Sequence, residues 1–164
     1  MKVLIFFIGS FFFVKTSLGQ TGKFTYQYHN SVIKVGKFTF ESPDTSLTFE
    51  IEASAGYLVG ANNPYYQATK NIGPIPNGTW EIYAIKSEAK FTLRLRPKDD
   101  VIITERDGFL IHGVGTDKTP EESSHGCIII SDRESRKKLV QAFKKYGVIK
   151  ISVTNIITSG GVEG

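Results

Sequence analysis

One thiol and two imidazoles carry the reactive potential of this chain. Cys127 is the single cysteine, in Ser124-His125-Gly126-Cys127, and two of the three histidines, His125 and His112, precede it within fifteen residues. The thiolate, not the thiol, is the nucleophile, so a free cysteine at neutral pH needs a base close by. A histidine in hydrogen-bond reach takes the proton and then, as imidazolium, stabilises the sulfur anion. His112, in Phe109-Leu110-Ile111-His112-Gly113, suits that role if its strand neighbours the one Cys127 begins. Gly126 lets the backbone approach a substrate closely. The N–H groups of Gly126 and Cys127, with that of His125, are natural donors to a developing oxyanion. Two plainer readings compete. Lone cysteines are among the most buried residues, and Cys127-Ile128-Ile129-Ile130 has the character of a core strand. Zinc held by His112, His125 and Cys127 is the other, though no carboxylate at typical spacing completes that set.

The compartment sharpens the choice. Residues 1–19 read as an export signal: Lys2 precedes an apolar run from Val3 to Val14 broken only by Gly9 and Ser10, and Ser17 and Gly19 are the small residues a signal peptidase requires. The run is shorter than the ~20 residues a bilayer span needs. Exported chains usually pair their cysteines, so an unpaired one is a buried bystander or a reactive group. The expectation is a secreted or periplasmic protein with no membrane anchor after cleavage.

The remaining 145 residues from Gln20 make one domain with room for a proper core. Without Lys2 and Lys15 the charge is 18 basic against 16 acidic residues, well interspersed. The one basic cluster, Arg133, Arg136, Lys137, Lys138, Lys144 and Lys145, falls on an expected helix and reads as its solvated face. With no zinc-finger spacing and no basic–aromatic interleaving, nucleic acid is excluded as the expected partner.

The elements that must position the thiol are mostly strands. Phe24, Tyr26 and Tyr28; Leu47, Phe49, Ile51 and Ala53; Trp80 to Ile85; and Phe91, Leu93 and Leu95 alternate with polar residues at period two. Val101 to Ile103, Phe109 to His112 and Cys127 to Ile130 are short apolar runs suited to buried strands. One helix is expected from a Ser131/Glu134 capping box, with Leu139, Val140, Phe143 and Tyr146 as its apolar face and Gly147 as its stop. Val148 to Val153 closes the domain, and residues 155–164 read as a flexible tail. Gly60 to Gly78 is turn chemistry throughout, and Val114 to Ser123 is a polar loop ahead of the cysteine. Asn77-Gly78-Thr79 is formally a glycosylation acceptor and is read as a turn.

With these residues in view, Ser124-His125-Gly126-Cys127-Ile128, preceded by His112-Gly113, resembles the signature of the YkuD-like L,D-transpeptidases. Gly73-Pro74-Ile75-Pro76-Asn77-Gly78-Thr79-Trp80-Glu81-Ile82 resembles their turn and strand. Gly60-Ala61-Asn62-Asn63-Pro64, Gln67 and Asn71 to Gly78 are more similar still to the L,D-transpeptidase-like effector domain of type VI secretion systems, as are Ile128-Ile129 and the following Arg133. The resemblance covers roughly Phe24 to Val153. It implies a mainly β fold, a sheet sandwich or barrel with one packed helix, over residues 20–154. It also implies a cysteine enzyme acting on peptidoglycan stem peptides, without metal or cofactor. Cys127 attacks ahead of the terminal D-alanine and holds a thioester, which a second stem, a free D-amino acid or water resolves. His112 is base and then acid, the Gly113 carbonyl orients its ring, and Ser124, His125 and Gly126 shape the site. The rim is expected from the Asn62 to Tyr66 and Thr116 to Ser123 loops. The rival readings are a non-catalytic wall-binding module, a peptidase for ordinary L–L bonds, and a toxin against competitor walls, for which an immunity protein is the expected partner. Effectors of that group generally lack a cleavable signal, so the opening segment points to ordinary export instead.

Overall fold

The computed structural model describes residues 19–29, 32–33, 36–103 and 105–158. The expected export signal, up to Leu18, and the tail from Ser159 lie outside the described residues. Nine strands and one helix follow in chain order: β1 Thr21–His29, β2 Val32–Ile33, β3 Gly36–Glu41, β4 Phe49–Ala55, β5 Gly78–Ser87, β6 Thr92–Pro97, β7 Leu110–His112, β8 Ile128–Ile129, α1 Arg133–Tyr146 and β9 Ile149–Thr158. They form a mainly β fold with one packed helix.

The sheet closes on itself. Pairing runs β1–β3–β4–β8–β7–β6–β5–β9 and back to β1, with β2 pairing the far end of β1 in line with β3. Closure removes the free edges an open sheet would expose. Two pairings are parallel, β1 with β9 and β7 with β8; the others are antiparallel. Of the residues read as alternating strands or short apolar runs, Phe24, Trp80, Ile82, Leu93, Ile111 and Ile128 are fully buried in the interior, whereas Phe49, Ile51 and Phe91 are only half-buried.

The helix lies across one end, where the β3–β4 and β5–β6 turns and the start of β1 meet. Lys145 pairs with Asp44 at 2.8 Å and Lys144 with Glu88 at 2.7 Å. Gln20 donates to the carbonyl of Gly147 at 2.6 Å. Leu139, Val140 and Ala142 on its inner face are buried.

Several boundaries differ from the sequence reading, each for a local reason. The helix cap is Asp132, whose carboxylate accepts from the Ser135 N–H at 2.7 Å, not Ser131. A carboxylate one residue later takes the same orphan donors more strongly. Tyr146 is 40% exposed, off the buried face. Val101 to Ile103 forms no strand, and Ile102 is 85% exposed. Asp100 instead turns back to bond the Thr79 N–H and hydroxyl, at 2.9 and 2.7 Å. β9 runs to Thr158, because β1 offers a parallel partner along its whole length, so residues 155–158 are strand and not tail. Asn77 lies in the turn before β5, its side chain accepting from Gln67 at 3.1 Å.

Candidate functional site

Parallel pairing of β7 and β8 is what brings the cysteine and histidine together. Parallel strands cannot be joined by a tight turn; they need a crossover of about a dozen residues or more. Here that crossover is the loop from Gly113, and its last four residues are Ser124 to Cys127. The register pairs Ile111 with Ile128 and His112 with Ile129. Paired residues share a face and faces alternate along a strand. Ile111 and Ile128 point inward, so His112 points outward, and Cys127, one residue before Ile128, lies on the same outer face. His112 and Cys127 line one cleft of about 230 Å³, with Ser123, Ser124, His125 and Gly126 from the crossover and Lys70, Asn71 and Arg106 to Phe109 opposite.

The imidazole is oriented. His112 Nδ1 lies 2.8 Å from the Gly113 carbonyl, which can only accept. Nδ1 therefore carries the proton, and Nε2 is the basic nitrogen. Burial holds the His112 pKa below its ordinary value; the Gly113 carbonyl opposes this, and the charges of Arg136 and Lys86 add to it. Burial likewise raises the Cys127 thiol, against the Leu110 N–H and the charges of Lys86 and Arg106. Both shifts favour the uncharged forms. Burial thus works against a thiolate–imidazolium pair at this site.

Ser124 braces the turn: its hydroxyl donates to the Cys127 carbonyl at 2.7 Å and accepts from the Gly126 N–H at 3.0 Å. This narrows the expected oxyanion donors: the Gly126 N–H is already bonded to Ser124, and the Cys127 and His125 N–H groups remain the candidates. His125 is exposed and stacks on Tyr57, ring centroids 4.9 Å apart. Gly126 sits at φ +142°, and a Cβ there would meet Arg106 Nη2 at 2.4 Å, so only glycine fits the turn.

Arg106 escaped the sequence reading. It is buried beside Gly126 and donates to the carbonyls of Pro74 at 2.9 Å, Gly73 at 2.7 Å and Gln67. Its guanidinium lies 5.0 Å from the Phe109 ring centre. The Gly60–Gly78 segment is thus strapped to the cysteine turn through backbone oxygens, which leave no side-chain signature to read. Arg136 plays a related part below His112. It donates to the carbonyls of Ile130 and of Ser131, the latter at 2.8 Å, and a Cβ on Gly113 would lie 2.7 Å from its guanidinium. Arg133, singled out in the sequence, lies elsewhere, over the Phe91 ring and bonded to Ala89.

The rim also differs from expectation. Asn62 to Tyr66 does not line the cleft: Asn62 is buried, its side chain accepting from the Ala55 N–H at 2.9 Å to extend β4. Lys70 and Asn71 take that place, and of the Thr116 to Ser123 loop only Ser123 reaches the cleft. Among the described residues no three His, Cys, Asp or Glu side chains group so as to hold a metal ion, and no helix is long and apolar enough to cross a membrane.

A closed β-barrel with a cysteine and an oriented histidine in one outer cleft defines a thiol–imidazole domain. The chain belongs to the Tlde1-domain family, an L,D-transpeptidase-like domain of type VI secretion effectors, whose family model matches residues 50–154. The match runs from β4 into β9 and leaves out β1 to β3, which close the barrel. No curated protein and no solved structure matches the chain.

Proposed function

We propose that this domain is a cysteine acyltransferase or carboxypeptidase of peptidoglycan stem peptides, working in a toxin aimed at bacterial cell walls. The carrying observation is the placement of Cys127 and His112 on one face of adjacent strands, in one cleft, with the histidine tautomer set by Gly113. Family membership favours the effector setting over remodelling of the cell's own wall.

In this reading His112 Nε2 takes the thiol proton as Cys127 Sγ attacks the carbonyl carbon before the terminal D-alanine. The Cys127 N–H meets the oxyanion. Collapse of the tetrahedral adduct breaks the C–N bond, and His112 returns the proton to the departing amine of D-alanine. The thioester left on Cys127 passes to water, or to the amine of a second stem or a free D-amino acid. Delivery to the wall compartment, by the segment before Gln20 or by a secretion apparatus, belongs to the same proposal.

The test is mass spectrometry of tetrapeptide muropeptides incubated with the protein and with Cys127→Ala. Loss or exchange of D-alanine, seen only with the thiol, is expected. No change with folded protein refutes the enzyme and leaves a wall-binding module.

A further inference from the structure

A second pocket opens on the same outer face, one strand beyond the cleft. It holds about 90 Å³ and is lined by Glu52, Ala53 and Ser54 of β4, Pro120 and Glu121 of the crossover, and Ile129 and Ser131. The register places it: Ser54 pairs with Ile129, and Ile129 with His112, so the three form a row across β4, β8 and β7. Two strand spacings, about 10 Å, separate Ser54 from His112. Ile129 is the wall between pocket and cleft.

Three features call for a ligand there. Ser54 is only 2% exposed, yet among the described residues its hydroxyl has no hydrogen-bond partner. A buried hydroxyl left unsatisfied is costly and uncommon. Glu52 and Glu121 are at the same pocket, and among the described residues neither is in an ion pair. Their neighbours are engaged: Glu50 takes Lys37 at 2.7 Å, and Glu122 accepts from the Thr119 N–H at 2.9 Å. Finally, the pocket's upper wall is pinned. Ser123 donates to the Thr119 carbonyl at 2.7 Å and accepts from the Gly115 N–H at 3.0 Å, which holds the 120–122 turn over β4.

We propose that this pocket binds a primary ammonium group on an alkyl chain, and that it reads such a group on the donor peptide, a claim resting on the stem-peptide reading above. An ammonium has three donors. Glu52, Glu121 and Ser54 are three acceptors. Pro120 and Ile129 supply apolar wall for the methylenes, as lysine-type chains prefer. A hard divalent ion fits poorly, since it wants about six or more oxygen ligands. An alkyl chain of about four carbons, the reach of a lysine stem, bridges much of the distance from the acyl carbon at Cys127 past Ile129.

The experiment is a methyl-NMR titration of the full chain, labelled at isoleucine, with Nα-acetyl-lysine methylamide and with the same compound acetylated at the ε-amine. Neither probe carries a D-alanine bond, so turnover plays no part. Expected are saturable shifts at Ile129 with the free amine and none with the acetylated probe. Glu52→Gln and Glu121→Gln, both on solvent-facing side chains, each weaken binding about fivefold. Ser54→Ala weakens it too while leaving the melting temperature unchanged or higher. Absence of saturable shifts, equal shifts with both probes, or indifference to all three substitutions overturns the proposal. Muropeptide turnover with a silent pocket would leave the enzyme standing and remove only this site; binding without turnover would do the reverse.

Discussion

A buried guanidinium stands on each side of the candidate pair, and the two do opposite things. Arg106 lies against Gly126 and lowers the Cys127 thiol through its charge, against the larger effect of burial. Arg136 lies against Gly113, and its charge pushes the His112 pKa down, in the same direction as burial. One cation favours the anionic sulfur that the proposed reaction needs; the other favours the neutral imidazole that would take the proton in it. Neither lies within ion-pair distance of a carboxylate among the described residues. Each is held by carbonyl oxygens, so its charge is left largely uncancelled toward the site. Burial lowers both arginine pKa values, but a guanidinium has ample reserve and stays protonated.

The comparison breaks most readily at Arg106. Arg106→Met removes the charge and the strap on the 67–74 backbone together, and about a hundredfold loss of kcat/KM on muropeptides is expected. Arg106→Lys keeps a charge but cannot span three carbonyls, so a smaller loss, about tenfold, follows. The pH dependence of Cys127 alkylation separates the two contributions. Its midpoint should rise in Arg106→Met and hold nearer the parent in Arg106→Lys. Unchanged midpoints in both would make Arg106 a structural strap with no part in the thiolate.

The two glycines sharpen the same contrast. At Gly126 a methyl meets Arg106 at 2.4 Å and the backbone sits at φ +142°, so Gly126→Ala should cost about 3 kcal/mol in urea unfolding. At Gly113 no positive φ is involved, and the obstacle is the Arg136 tip at 2.7 Å, so about 1 kcal/mol is expected for Gly113→Ala. Equal costs would mean that side-chain clash decides both and that the Gly126 backbone conformation matters little.

What the sequence could and could not reveal divides along similar lines. Strands with period-two patterning, β1, β4, β5 and β6, were legible because one face is buried and side chains report the burial. That Cys127 and His112 would line one cleft was legible from residue type, and the Gly113 carbonyl beside the His112 ring came from the resemblance. Arg106 was not, because its partners are main-chain oxygens of Gln67, Gly73 and Pro74, whose residue types say nothing about accepting a guanidinium. The Gly126 N–H was misassigned for a similar reason: whether it faces a substrate or the Ser124 hydroxyl depends on the turn, and the motif reads the same either way. Val101 to Ile103 failed because an apolar run is only a strand where a neighbour has a free edge, and Asp100 turns the chain back onto Thr79 before that point.

The smallest expected effect tests the lower arginine. Arg136→Gln keeps a donor for the Ser131 carbonyl and removes the charge beside His112. The histidine should then move up toward its ordinary value. Because the base must be neutral, the acid limb of kcat/KM moves up with it, and activity at pH 6 falls relative to pH 7.5. Stability supplies a second readout that needs no substrate. His112 resists protonation in the folded chain more than in the unfolded one, so unfolding free energy should drop as pH falls below about 6.5, where the unfolded histidine charges first. In Arg136→Gln the folded-state pKa is closer to the unfolded one, so that drop shrinks. A variant whose acid limb and pH-dependent stability both match the parent would show that burial alone keeps His112 neutral. The apparent symmetry of the two arginines would then end at geometry, with Arg106 alone acting on the chemistry.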